Sequence, residues 1–272
     1  MSAAFRAGEP AWVELCTRHP ERAESFYAAL FGWHSRTEPL SAGSYRICQS
    51  GADDVAGIID ADLLHDGRRH GWITYFAVDD LEQALARAQS LGGTVQLQPR
   101  YLPAAGTGAT VLDPAGATLG LYQAEARSGV ATLNAPGTLC WNELSTGDPA
   151  GSTAFYQGLF GFECEERVSA RGQRYTVLSL DGDPVAGLLA LESTWPNEIP
   201  ARWMPYFRVD DLAASVTRVH ELSGADLLGP VPSPHGPLHV VEDPDDNPLC
   251  LIELTDTLRR DSRADAPTGD PR

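Results

Sequence analysis

The feature that most constrains this chain is a segment written twice. "WVELCTRHPERAESFYAALFGW" (Trp12 to Trp33) and "WNELSTGDPAGSTAFYQGLFGF" (Trp141 to Phe162) agree at 10 of 22 positions. The correspondence continues at a nearly constant shift, with "VAG" at Val55 and Val185 and Trp72 answered by Trp203. "WITYFAVDDL" (from Trp72) and "WMPYFRVDDL" (from Trp203) share 7 of 10 positions, and "DPAGATLGLY" (from Asp113) answers "DPDDNPLCLI" (from Asp243). A repeat of this length dictates two similarly folded halves before any single motif is weighed. The division expected is residues 1–124, a linker over 125–137, a second domain over 138–256, and a disordered tail over 257–272 whose polar residues cannot form a core.

Each copy itself divides. Trp12, Val13, Glu14 and Leu15 alternate as in a strand, which sends Trp12 and Glu14 to one face, and Trp141 and Glu143 likewise. A helix follows: Asp148 is an N-cap with Pro149 at the first helical position, while His19 takes the cap position in the first copy as a solvated residue. The runs "SYRICQS" and "VAGIID", matched by "RYTVLSL" and "PVAGLLA", read as strands between Gly, Asp and Pro. The order then restarts with "WITYFAV" and the helix "DDLEQALARAQSLGG", and two further strands, about 93–99 and 107–123, close the copy.

The net charge of -17 would repel a phosphate backbone or anionic headgroups, so nucleic acid and membrane surfaces are not expected partners. No apolar leader and no run of about 18 apolar residues is present, and the expected location is the cytoplasm. Five dispersed cysteines without a CxxC pair read as free thiols.

FYxxLFG after a first strand, a VDD-helix-LGG segment and a closing DPxGxxLxL together resemble the vicinal oxygen chelate superfamily of glyoxalase I, bleomycin-resistance proteins and extradiol dioxygenases. The resemblance covers about Ala11 to Gln123 and Leu139 to Leu254, and is nearest to the tandem two-domain glyoxalase-like "hydroxylase" subgroup. It implies an α+β fold of four βαβββ modules forming two tandem eight-stranded cups that hold a small molecule. It also implies metal ligands on cup strands, and those positions fall at Trp12 and Trp141, Ile73 and Met204, and Gly120 and Cys250. Indole, alkyl, thioether and glycine cannot supply the convergent N or O donors a divalent ion needs, so neither a metal nor another cofactor is expected. A register slip of one residue would bring in Glu14, Glu143 or Glu253, still only one carboxylate per cup.

Strand phase lines the first cup with Trp12, Glu14, Ile73, Tyr75, Ala77 and Tyr122, and the second with Trp141, Glu143, Met204, Tyr206, Arg208 and Ile252. Such walls suit an aromatic or polycyclic ligand. Glu143, His235, Arg208 and Glu14 are the candidate acid, base and anion-holding groups. Each glutamate has a second reading, as a buried carboxylate satisfied by backbone N–H groups or an arginine. Trp12, Tyr75, Tyr122, Trp141, Met204, Tyr206, Trp195, His239 and Cys250 are the candidate ligand contacts. His235 has an alternative reading as a plain loop residue, His65 and His70 lack metal-site spacing, and Cys250 also reads as a small buried hydrophobe. The function expected is cofactor-independent acid/base chemistry (isomerisation, cyclisation or hydration) on an aromatic small molecule of secondary metabolism, by a monomer or homodimer. Two alternatives stand beside it: a binding protein that sequesters an antibiotic or metabolite, and a metal-dependent glyoxalase-type lyase or dioxygenase.

Overall fold

The computed structural model describes residues 5–41, 43–64, 70–103, 106–124, 129–168, 173–191 and 200–255. The first half runs β1 (Pro10–Thr17), α1 (Pro20–Phe31), β2 (His34–Pro39), β3 (Ser44–Ser50), β4 (Asp53–Asp60), β5 (Gly71–Ala77), α2 (Leu81–Ser90), β6 (Thr94–Leu102), β7 (Gly106–Leu112) and β8 (Thr118–Ala124). The second half repeats that order as β9 (Leu139–Thr146), α3 (Pro149–Phe160), β10 (Glu163–Val168), β11 (Arg174–Leu180), β12 (Asp183–Ala190), β13 (Arg202–Arg208), α4 (Leu212–Glu221), β14 (Ala225–Ser233), β15 (Gly236–Glu242) and β16 (Pro248–Ile252). Four βαβββ modules are therefore present, as the sequence pattern and resemblance implied. The single strand expected over 107–123 is two, because the Asp113–Gly116 turn reverses the chain between β7 and β8.

Adjacent modules share a sheet. The strand orders are β2-β3-β4-β1-β5-β8-β7-β6 and β10-β11-β12-β9-β13-β16-β15-β14, two curled eight-stranded half-barrels of identical topology. Helix boundaries follow local chemistry. The Asp148, Asp80 and Asp211 side chains accept from the backbone N–H groups of Gly151, Gln83 and Ala214 at 2.8–2.9 Å, whereas His19 makes no such bond. The glycine ending each FYxxLFG motif, Gly32 or Gly161, has φ of 73° or 78°, a left-handed stop that a side chain would oppose.

The helices lie between the two sheets and close two hydrophobic clusters, each with residues from both halves. Tyr27, Trp33 and Trp72 pack with Phe207, Val219 and Leu251, and Phe76, Leu85 and Leu119 pack with Phe155, Tyr156 and Trp203. Two related hydrogen-bond chains join the halves. Tyr27 Oη donates to Asp243 Oδ2 at 3.0 Å and accepts from Trp72 Nε1 at 3.1 Å. Tyr156 Oη donates to Asp113 Oδ2 at 2.9 Å and accepts from Trp203 Nε1 at 2.8 Å. The Tyr of FYxxLFG and the Asp of DPxGxxLxL thus join the two halves, away from the concave faces. Each buried bond removed should cost about 1–3 kcal/mol because its partner is left unsatisfied. Tyr27→Phe and Tyr156→Phe are therefore expected to lower the urea midpoint, and values equal to wild type would contradict this role.

Residues 129–138 are stitched to both halves. Val130 N donates to Ala11 O, Trp33 Nε1 to Gly137 O, and Gly137 N to Arg208 O, all at 2.7–2.8 Å. The tail expected to be disordered and Trp195 both lie outside the described residues, as does His65.

Candidate functional site in the second cup

With one face of each sheet covered by helices, strand alternation sends Trp12, Glu14, Ile73, Tyr75, Ala77 and Tyr122 to the opposite, concave face of the first sheet. Trp141, Glu143, Met204, Tyr206, Cys250 and Ile252 occupy that face of the second. Both concave faces carry one shared network. In the first, Trp12 Nε1 donates to Tyr45 Oη at 3.0 Å and Tyr75 Oη donates to Glu14 Oε1 at 2.9 Å. In the second, Trp141 Nε1 donates to Tyr175 Oη at 2.9 Å, and the Tyr175 and Tyr206 hydroxyls hydrogen-bond Glu143.

Tyr45 and Tyr175 were not singled out by periodicity, although they stand one repeat apart. Their glycine partners were the available signal. A Cβ on Gly57 or Gly187, the glycines of the two "VAG" motifs, would fall 1.8 Å from the tyrosine hydroxyl oxygen. Gly187→Ala is therefore expected to displace Tyr175 and destabilise the protein by about 1–3 kcal/mol. Unchanged near-ultraviolet circular dichroism and stability would refute that reading.

The two networks part at one position. Arg100, on β6, places Nη2 2.7 and 2.9 Å from the two oxygens of Glu14. On β14 the residue in the same register is Val231, since Arg100 faces Gly108 and Val231 faces Leu238. Burial alone would lower the Arg100 pKa, but Glu14, Tyr75 and Tyr45 together raise it, so this guanidinium is always charged. Glu14 is 0% exposed within that pair, and Trp12, Tyr45, Tyr75 and Tyr122 are equally enclosed. The first concave face is filled by its own side chains, and the arginine-satisfied reading of Glu14 is the one the geometry matches.

Glu143 has no cation partner among the described residues. Burial pushes its carboxyl up to about 7, against which the two tyrosine hydrogen bonds act in part. The wall beside it is apolar and open: Leu228 is 43% exposed, and Trp141, Val231, Leu238 and Val240 are half-buried. Leu228 faces Val240 across the β14–β15 pair, which places it on the cup side. Cys140 and Cys250 replace Ala11 and Gly120 of the first copy. Burial raises both thiols, Cys140 to about 12, so neither is a thiolate nucleophile at neutral pH.

The other candidates are not assembled with Glu143. Arg208 is turned to the 129–138 segment, where Nη1 donates to Asn134 O at 2.5 Å, and Nη2 lies 3.5 Å from Asp210. Four residues beyond Met204, the neighbour of Glu143 across the strands, it starts about 13 Å further along the strand. His239 shares its strand face with Val241, on the helix side. It packs on Gly229, with Nε2 3.9 Å from Asp226, so the cup pattern passes it by. His235 is exposed at the tip of the β14–β15 hairpin, where its carbonyl accepts from Thr255 N. The one-repeat shift aligned these histidines with the first copy but carried no information about face.

The family's metal positions can be tested on these strands. Trp12 faces Tyr75, which faces Gly120, and a Cβ on Gly120 would lie 2.1 Å from the Tyr75 ring. The first cup therefore gives this space to an aromatic ring. In the second cup the family's positions carry Trp141, Met204 and Cys250, and no group of three His, Cys, Asp or Glu among the described residues could hold a metal ion. This donor chemistry does not fit a hard divalent cation.

Residues 10–121 and 138–251 each match the Glyoxalase/Bleomycin resistance protein/Dioxygenase superfamily. The chain belongs to that superfamily. Among its relatives, the Mycobacterium bovis protein CFP32 is 33% identical over 244 residues, covering 88% of this chain and 92% of that one. The anthracycline biosynthesis protein DauV of a Streptomyces species is 28% identical over 264 residues, covering 92% and 94%. Similar solved structures include the 2,3-dioxygenase LapB of Pseudomonas (TM-score 0.61, 19% identity, covering 93% of both chains). The Mn(II)-bound glyoxalase of Novosphingobium aromaticivorans superposes with a TM-score of 0.63 at 15% identity, covering 91% of this chain and 82% of that one. At those identities the likeness is one of fold, and the family's chemistry does not transfer with it.

Proposed function

We propose that the second cup binds an aromatic or polycyclic small molecule and acts on it without a metal, with Glu143 exchanging a proton with the ligand. One observation carries this reading: a buried carboxyl with no cation partner among the described residues, raised to about 7, beside an open apolar wall that includes Trp141. A group poised near neutrality suits general acid/base catalysis, and an indole face suits stacking. The anthracycline biosynthesis relatives support a polycyclic ligand, since an anthracycline is one, and support a place in secondary metabolism. The first cup serves as the structural partner in this reading, its carboxylate being held by Arg100.

The test is a thermal-shift screen of polycyclic aromatic carbonyl compounds against wild type and Trp141→Ala, followed by mass spectrometry of each hit after incubation. Hits should stabilise wild type and not Trp141→Ala, and conversion should disappear in Glu143→Gln while binding persists. Hits that stabilise Trp141→Ala equally would overturn the binding assignment. Conversion undiminished in Glu143→Gln would overturn the catalytic one. Binding with no conversion in wild type would favour sequestration, for which the aromatic wall alone suffices.

A further inference from the structure

The network that holds the carboxylate is built alike in both cups, yet among the described residues only the first carries an arginine in it. The Arg100 guanidinium closes the first, whereas Val231 leaves the same space apolar and half-buried in the second. Resting on the second-cup reading above, we infer that Val231 selects the ligand class. By withholding a guanidinium it leaves Glu143 as a hydrogen-bond donor, and the cup takes an uncharged planar molecule bearing a carbonyl oxygen.

The surroundings of Glu143 support this. Among the described residues Tyr175 from β11, Tyr206 from β13 and Cys250 from β16 are the titratable groups that face it, and burial raises the pKa of each, so all are neutral at neutral pH. β12 contributes Gly187, with no side chain. No cation faces Glu143 among the described residues, so an anionic ligand beside it would be a buried unpaired charge, which is costly. A protonated carboxyl instead offers one O–H to an acceptor while its oxygens accept from the two tyrosines. A carbonyl oxygen on a flat apolar frame completes that set, with the frame against Trp141, Leu228, Leu238 and Val240.

Binding is then linked to pH. Since only the protonated form donates, affinity should hold below pH 6 and fall by about 30-fold by pH 8.5, the ratio set by a carboxyl near 7. Three probes differing in one substituent decide it: 2-(hydroxymethyl)anthraquinone (neutral), anthraquinone-2-carboxylate (anionic) and 2-(aminomethyl)anthraquinone (cationic). Their dissociation constants would be read by calorimetry at pH 5.5, 7 and 8.5. The neutral quinone should bind wild type best with the stated pH dependence, and bind Glu143→Gln, whose amide still donates, without it. Val231→Arg, a half-exposed position that tolerates a long side chain, should weaken it by about tenfold or more at every pH, because the new guanidinium would pair with Glu143.

A flat pH profile in wild type, preference for the amine that strengthens with pH, or Val231→Arg binding as wild type while Trp141→Ala fails to, would each overturn the inference and leave the second-cup reading standing. Failure of all three probes to bind wild type at any pH, or equal binding to wild type and Trp141→Ala, would overturn both.

Discussion

Glu14→Gln should destabilise the protein by about 3–5 kcal/mol, because it strands the Arg100 guanidinium without its counter-ion in a closed apolar face. That is a large share of the roughly 5–15 kcal/mol that holds a typical domain together. Among the described residues Nε and Nη1 of Arg100 are buried without a hydrogen-bond partner, so the two bonds to Glu14 are what hold its charge in place. The double variant Glu14→Gln/Arg100→Met should recover much of the loss, since a buried ion pair can often be exchanged for apolar packing near neutrally. Urea unfolding of the two single variants and the double would measure the coupling. A Glu14→Gln midpoint within error of wild type would show that the pair contributes nothing, and with it the structural role of the first cup would fall.

Glu143→Gln should do the opposite, and only above a certain pH. The folded carboxyl sits near 7 against 4.5 for the free side chain, its burial opposing ionisation. Below about pH 4.5 both folded and unfolded chains keep the proton, and the group's contribution to stability is constant. Between 4.5 and 7 the unfolded chain releases it and the folded chain does not, so wild-type stability falls with rising pH. Above 7 the folded protein carries the buried charge at a cost on the order of 3 kcal/mol. Glutamine does not titrate, so the unfolding free energy of Glu143→Gln minus that of wild type should grow from pH 5 to pH 8 and then level. An equal difference at pH 5 and pH 8 would mean that Glu143 titrates normally, and the acid/base assignment would lose its basis. The contrast with Glu14→Gln, one substitution in two copies of one network, isolates the effect of Arg100 against Val231.

Much of this molecule was legible before any coordinate. The doubled segment, the period-2 strands and the Asp and Gly punctuation specify four βαβββ modules, because each signal acts within a few residues of itself. Strand phase also placed Trp12, Glu14 and Tyr75 on one face and Trp141, Glu143 and Tyr206 on its counterpart, since alternation is a property of the backbone. A place beside Glu143 does not follow in the same way for Arg208 or His239. Arg208 points along the cup strand but is captured by the carbonyl of Asn134, a contact between segments 74 residues apart. His239 was carried in by its position in the repeat, which says nothing of whether a side chain faces helix or cup.

What only the tertiary structure decided are the pairings that cross long stretches of chain. Adjacent rather than exchanged modules share a sheet. The recurring Tyr and Asp of the family motifs meet across the two halves as Tyr27 with Asp243 and Tyr156 with Asp113. Arg100 reaches Glu14 across 86 residues, while Val231 in the same register brings Glu143 no cation. The sequence by itself determined the modules and the faces, because these follow from local backbone geometry and hydrophobic period. Charge state and openness of each cup depend on which side chain arrives from the far edge of a curled sheet, and no local pattern encodes that arrival.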